Sequence, residues 1–274
     1  MNNTCRSLAS LGMTATALGM TAFAEFASAQ SLESRVAAAR GTVAFEYATR
    51  PNVCGDGSSI TISDDASPGW SMRRSRSGVH IGRRTSNSYE RCEIGPARVL
   101  LRRDGSRVSD LRVSVGGPVD GADTELGDVS PANAAHYLLT LAPGLAGRSG
   151  EDAVMGAEIA EGQVVWRRLL EIARDNGATE SSRKASVFWV SQEASTAATT
   201  GLDSIANDED STLSIRSDAL FFLAQRPGGE GIPALVRVAE TSKSVKLRKD
   251  AIWFLAQSRD ARALALFERL LAGR

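Results

Sequence analysis

Arg183-Lys-Ala-Ser-Val-Phe-Trp-Val-Ser-Gln192, Arg216-Ser-Asp-Ala-Leu-Phe-Phe-Leu-Ala-Gln225 and Arg248-Lys-Asp-Ala-Ile-Trp-Phe-Leu-Ala-Gln257 are one pattern written three times. They align without a gap, and their arginines stand 33 and 32 residues apart. Four residues before each arginine is a hydroxyl residue, Thr179, Thr212 or Ser244, placed to cap the N-terminus of a helix. Eight residues before each is an acid, Asp175, Asp208 or Glu240. One more step of 33 backwards falls on Gly150-Glu-Asp-Ala-Val-Met155, a weaker copy without the arginine or the aromatic pair. A terminal, capping copy is expected to depart in this way.

A second amphipathic helix precedes the copies. Gln163–Arg174 sets Val165, Leu169, Leu170 and Ile172 near one side, and Ile232–Ala239 does the same with Leu235, Val236 and Val238. Ala261–Leu271 is a final helix. Two helices per roughly 33 residues make a unit that buries its apolar face only by stacking on its neighbours. Arg-x-[Asp/Ala]-Ala followed by an aliphatic and aromatic run resembles HEAT repeats, in the short form also seen in proteins related to phycobilisome lyases. The resemblance covers about Pro131 to Leu271. It implies an α-α superhelix with the arginine-bearing helices lining a concave side.

The front of the chain has a different grammar. After a short helix, Leu32 to Arg40, Thr42–Tyr47 and Ser59–Ser63 have strand composition. Ala97–Arg103 and Arg107–Val115 flank Asp104-Gly105, a dipeptide suited to a tight hairpin because both central positions favour positive φ. Asp64 to Glu90, dense in Ser, Gly and Arg, reads as loops with one short strand near Val79 to Ile81. Gly116-Gly117-Pro118 to Asp128 reads as a polar linker, and Ser130-Pro131 as a helix start. The expected fold class is therefore α+β in two domains: a small β-rich domain over 30–120, a linker over 121–130, and an all-α HEAT-type solenoid over 131–274.

Residues 1–29 are set apart as a targeting segment. Arg6 and the free amine supply a positive region, Ser7–Ala24 carries no charge, and Ala27-Ser28-Ala29 places a signal-peptidase cut between Ala29 and Gln30. A membrane anchor is the rival, but the stretch is short for a span, diluted by Thr, Ser and Gly, and followed by Glu25. The expected location is periplasmic or extracellular. Cleavage removes Cys5 and leaves Cys54 and Cys92, which in an oxidising compartment are expected to pair. Metal binding is the alternative, disfavoured because no His pair lies nearby.

Hydrophobic residues make up 42% of the 274, enough to build a core, and 32 basic residues balance 32 acidic ones. That balance gives no general reason to expect nucleic acid. It is uneven, however: Arg73 to Arg112 holds eleven arginines against four acids, whereas Gly121 to Arg274 holds 17 basic and 21 acidic residues. The front run reads as a solvated basic surface, with polyanion binding as the competing idea.

No catalytic set is visible. Gly-x-Ser-x-Gly is absent, and so are a phosphate loop and a Gly-x-Gly-x-x-Gly turn. Only His80 and His136 are present, one in each region, and Asp208-Glu209-Asp210 lacks the rest of a calcium loop. The pairs Phe188-Trp189, Phe221-Phe222 and Trp253-Phe254 read as core, since an inner helix of a stack needs a wide apolar arc. Arg183, Arg216 and Arg248, with Gln192, Gln225 and Gln257, form a registered ladder. Its arginines are expected to pair with Asp175, Asp208 and Glu240 or with carbonyls of the preceding turn; the competing reading turns them towards an acidic segment of a partner. These features point to an exported, non-enzymatic scaffold that holds a protein or peptide partner and needs no cofactor. The resemblance implies the alternative, a lyase-like or chaperone protein handling a cofactor or chromophore in the groove.

Overall fold

Alternation at period two makes the front of the chain into sheets, and the change to a helical period makes the rest into paired helices. The computed structural model describes residues 31–63, 70–75, 78–83, 92–118 and 121–273. The expected targeting segment 1–29, with its cut between Ala29 and Gln30, lies outside the described residues. Residues Ser31–Arg274 form one unit.

The chain opens with helix α1 (Leu32–Ala38), followed by strands β1 (Val43–Tyr47), β2 (Val53–Gly55), β3 (Ile60–Ser63), β4 (Trp70–Ser75), β5 (Gly78–Arg83), β6 (Ala97–Asp104), β7 (Arg107–Val115) and β8 (Thr124–Asp128). They form two four-stranded sheets, ordered β7-β6-β1-β8 and β2-β3-β4-β5. The second is an antiparallel meander. In the first, β1 and β7 run antiparallel to β6, and β8 runs parallel to β1. Ala97, Val99 and Leu101 on β6 and Leu111, Val113 and Val115 on β7 are buried, each alternating with more exposed neighbours.

Two expectations need correction here. The segment read as loops with one short strand holds two, β4 and β5; Arg73 and Arg74 stand on β4 and Arg83 on β5, while Arg76, Arg84 and Arg91 lie outside the described residues. The segment read as a polar linker contains β8, whose residues Thr-Glu-Leu-Gly-Asp are polar because it is a largely exposed edge strand. Arg98 on β6 fastens it, donating to Glu46 on β1 at 3.0 Å and to Glu125 on β8 at 2.5 Å. The hairpin forms where expected, but Asp104 pairs with Arg107 and the loop is Gly105-Ser106. Gly105 alone takes positive φ, +60°, so the turn follows the pattern with glycine at its first central position.

The expected disulfide is present. Cys54 and Cys92 are bonded at 2.05 Å, their Cα atoms 5.3 Å apart, across 38 residues of sequence. Beside it, Gly55 and Glu93 exchange backbone hydrogen bonds of 2.9 and 2.7 Å, and Gly57 donates to the Val115 carbonyl at 2.9 Å. The small sheet is thereby fixed to the end of β7.

Helices α2 (Pro131–Leu141), α3 (Gly147–Glu158), α4 (Trp166–Arg174), α5 (Glu180–Gln192), α6 (Thr196–Asn207), α7 (Leu213–Ala224), α8 (Ile232–Thr241), α9 (Val245–Ser258) and α10 (Ala261–Ala272) follow. Ser130 caps α2, accepting from the Asn133 amide with Pro131 in the first turn. The helix expected from Gln163 starts three residues later, leaving Val164 exposed before it. Each even-numbered helix packs on the odd-numbered one after it, from α2·α3 to α8·α9. The odd-numbered helices also pack in file, α3 on α5, α5 on α7 and α7 on α9, as do α4, α6, α8 and α10.

Sheet and helices share one apolar core, running from Phe45, Tyr47 and Val113 through Leu138 and Met155 to Leu266. The junction is polar as well as apolar. Strand β7 lies at the edge of its sheet, and α3 covers that edge: the Leu111 amide donates to Ser149 Oγ at 3.1 Å and the Val113 amide to Asp152 Oδ2 at 3.4 Å. A bare edge would leave those amides open to foreign strands. The Tyr47 hydroxyl donates to the Gly156 carbonyl at 2.7 Å, and burial raises its pKa.

Candidate functional site

The three arginines do different work from a partner-facing row. Arg183 and Arg216 are buried, and each donates Nε at 3.0 Å to the carbonyl ten residues earlier, Ala173 or Ala206, in the last turn of the preceding helix. Of the two pairings anticipated, the structure shows the one to carbonyls. The acids turn elsewhere: Asp175 accepts from the Gly177 amide, Asp208 accepts from the Asp210 amide and from Ser211 Oγ, and Glu240 pairs with Arg269 at 2.7 Å. Arg183 also reaches forward, donating Nη2 to Ser211 Oγ at 2.7 Å. Arg248 is less buried and donates to the carbonyls of Ser242 at 2.5 Å and Lys243 at 3.2 Å. A helix ends with carbonyls that lack intrahelical partners. A buried guanidinium supplies several donors in a fixed fork, which suits it to that position.

The weak first copy explains itself in the same terms. Gly150 occupies the arginine position, and a Cβ there would lie 2.2 Å from Ser182 Oγ and 2.3 Å from the Leu145 carbonyl. No side chain fits. The carbonyls following α2 are served from the next pair instead: Ser182 donates to Ala142 at 2.6 Å, and Thr179 donates to Leu145 at 2.6 Å. Thr179 therefore gives up the capping bond that Thr212 and Ser244 both make.

The aromatic pairs, expected in the core, form a continuous row in which Trp189 is buried, Phe188, Phe222 and Phe254 are half-buried against the core, and Phe221 and Trp253 are exposed. Ring centroids lie 5.1 Å apart for Phe188–Trp189, 5.8 Å for Phe188–Phe222, 5.2 Å for Phe221–Phe222, 6.1 Å for Phe221–Phe254 and 5.1 Å for Trp253–Phe254, all edge to face. Trp189 is 6% exposed, but Phe221 is 47% and Trp253 60% exposed. The residue before the aromatic pair is fully enclosed in the first two copies, Val187 and Leu220, but Ile252 in the third is 36% exposed. The arc assigned to core therefore holds for four of the six rings and fails at Phe221 and Trp253. Ser217 meets Lys246 towards the N-terminal ends of these helices and Phe221 meets Phe254 towards their C-terminal ends, so α7 and α9 run in the same direction.

One turn nearer the N-termini, the same face carries charge. Glu180 pairs with Lys184 at 3.1 Å, and Lys246 pairs with Asp250 and donates to Ser217 Oγ at 2.6 and 2.8 Å. Burial pushes the Asp218 carboxyl above its ordinary value, and Glu180 adds to that while Lys184 and Lys246 pull against it. At the other end, Gln192, Gln225 and Gln257 are exposed. Gln225 and Gln257 donate to the carbonyls of Phe221 and Trp253 at 3.4 Å, and Gln192 donates to Ser191 Oγ at 3.0 Å. The face therefore runs from matched charges through aromatic rings to carboxamides. The sequence signal for it was available: Ser214, Ser217 and Asp218 stand three to seven residues before Phe221, on the side a buried aromatic would not share.

This arrangement offers stacking surfaces and hydrogen-bonding groups. Of the two histidines, His136 is exposed on α2, and His80 stands on β5. Among the described residues no group of three or more His, Cys, Asp or Glu is placed to hold a metal ion, and no helix is long and apolar enough to cross a membrane. Compared with known proteins, the chain matches no family model, no curated protein and no solved structure.

Proposed function

We propose that the protein is an exported, non-enzymatic adaptor whose helical region is a HEAT-type solenoid, and that the face of α5, α7 and α9 holds a protein or peptide partner. The observation that carries this reading is the aromatic row. Exposing Phe221 and Trp253 side by side along successive helices costs hydration free energy unless a partner covers them. Aromatic residues are the ones most enriched where binding energy concentrates. The 33-residue register, the stacking of odd-numbered helices on one another and the parallel run of α7 and α9 support the solenoid. Export rests on the pattern of residues 1–29 and is supported by the Cys54–Cys92 bond, a linkage that persists in oxidising compartments.

A photo-crosslinking amino acid placed at Phe221 or Trp253 tests the face in intact cells, with Arg168, exposed on α4, as the control position. Discrete adducts from the first two sites and none from the third are expected. A folded protein that gives no adduct at either aromatic site, or the same adducts at all three, overturns the reading. The N-terminal residue of the purified mature protein, expected to be Gln30, tests export separately.

A further inference from the structure

Away from that face, α1, the tip of the β6–β7 hairpin and α2 enclose an open cavity of about 360 Å³. Its size falls within the range of small-molecule sites, and it combines an apolar lining with a few converging polar groups. Val108 and Leu141 supply apolar lining, and Glu33, Arg103, Arg107 and Tyr137 supply the polar groups.

Those polar groups are not used up by the fold. Tyr137 is 5% exposed, and its ring packs beside Phe45 at 6.3 Å, yet its hydroxyl makes no hydrogen bond among the described residues. The ring is buried while the residue lines the cavity, which leaves the hydroxyl available to a ligand there. Arg103 commits one nitrogen, donating Nη1 to the carbonyls of Val36 at 2.9 Å and Ala39 at 2.6 Å, which anchors the guanidinium to the end of α1. The rest of its fork is uncommitted among the described residues. Glu33 and Arg107 also line the cavity, and neither has an ion-pair partner among the described residues. Glu33 and Arg103 both act electrostatically on Tyr137, so acid, base and phenol lie close together.

Opposite charges around one cavity, none of them in an ion pair among the described residues, suit a ligand that carries both charges itself. We propose that this cavity binds the zwitterion of an apolar amino acid or dipeptide. Its ammonium group meets Glu33, its carboxylate meets Arg103, Arg107 and the Tyr137 hydroxyl, and its side chain lies on Val108 and Leu141. A cavity of about 360 Å³ is of the order that small-molecule sites show, which suits a molecule of that size.

The test is titration of the mature protein with leucyl-leucine, read by amide chemical shifts and calorimetry. Two analogues run beside it, N-acetyl-leucyl-leucine without the ammonium group and leucyl-leucinamide without the carboxylate. Shifts clustered at Ser106, Val108 and Thr140 are expected, with each analogue binding on the order of tenfold more weakly, since each loses charge-assisted hydrogen bonds. Tyr137→Phe and Arg107→Gln should weaken the dipeptide by a similar factor without lowering the melting temperature. Arg103→Gln is the stronger probe, but it also releases α1, so the other two variants are the ones that decide. No clustered shifts at millimolar dipeptide, equal binding of all three compounds, or full binding by both variants overturns the proposal.

Discussion

Arg183 on α5 donates Nη2 to the hydroxyl of Ser211, 28 residues ahead and just before α7, at 2.7 Å. With its Nε on the Ala173 carbonyl, one buried side chain joins the end of α4, the start of α5 and the approach to α7. Removing it leaves a carbonyl and a hydroxyl without their donors in a dry interior. Arg183→Met should therefore cost about 2–4 kcal/mol. Arg248→Met removes a less buried group and should cost about 1 kcal/mol. Urea denaturation of both variants checks the ordering, and equal costs would contradict the burial argument.

Gly150 is the position where the repeat had to abandon its arginine. A methyl group there meets the Leu145 backbone at 2.3 Å, and backbone cannot rotate away. Gly150→Ala should destabilise by about 3 kcal/mol through forced separation of α3 from the turn at Leu145 and from α5. Gly156→Ala, whose new methyl meets only side-chain atoms at 3.0 to 3.1 Å, should cost about 1–2 kcal/mol. Thermal melts of the two variants, side by side, decide it.

These two positions also show what a single sequence reveals and what it hides. The repeat was legible because its registered arginines share one local task, each donating to carbonyls at or just after the end of the preceding helix. The hairpin was legible because Gly105 answers to local backbone geometry. Strand β8 was hidden, since Leu126 alone signals that the segment meets a core while Arg98, which holds it, comes from β6. The docking of α3 on β7 was hidden for the same reason: Ser149 and Asp152 read as ordinary helix residues until the amides they serve are known. The arginines' acceptors were open to either answer, because a carbonyl leaves no trace in sequence.

Cys54–Cys92 closes a loop of 38 residues, for which chain entropy gives about 3–4 kcal/mol. The small sheet it holds joins the larger one through few backbone bonds, so loss of the bond should be felt locally first. In Cys54→Ser/Cys92→Ser, amide exchange should rise over β2 and β3 before the protected amides of α5 and α7 respond. Uniform loss of protection across all four elements would show that the sheet and the helices open together.

Glu158 on α3 pairs with Arg50 at 2.9 Å and fixes the chain after β1 to the end of that helix. Burial pushes its carboxyl above the ordinary glutamate value, with Glu193 adding to the effect, while Arg50 opposes it. Because the folded-state pKa is the higher one, the native protein holds the proton in the window between the two values. The contribution of Glu158 is therefore fully present below the unfolded pKa and is lost as pH rises through the folded one. Glu158→Gln should remove that slope, so that the stability difference between variant and parent changes through the window and is level on either side. Denaturation at a series of pH values measures it, and parallel curves would count against a raised pKa.

Trp189 and Trp253 are near neighbours in the repeat pattern but differ in what surrounds them. Trp189 is 6% exposed, and Trp189→Ala should carry a core penalty of about 3–5 kcal/mol. Trp253 is 60% and Phe221 47% exposed, and serine at either site should cost under about 1 kcal/mol. The Phe221–Phe254 contact at 6.1 Å adds an edge-to-face term worth about 0.5–1.5 kcal/mol, which a double-mutant cycle isolates. Stability that survives Phe221→Ser and Trp253→Ser, together with loss of the crosslinked adducts, separates a surface kept for a partner from one kept for folding. If the two serine variants unfold as readily as Trp189→Ala, the rings are structural, and the face has no claim to be a binding site.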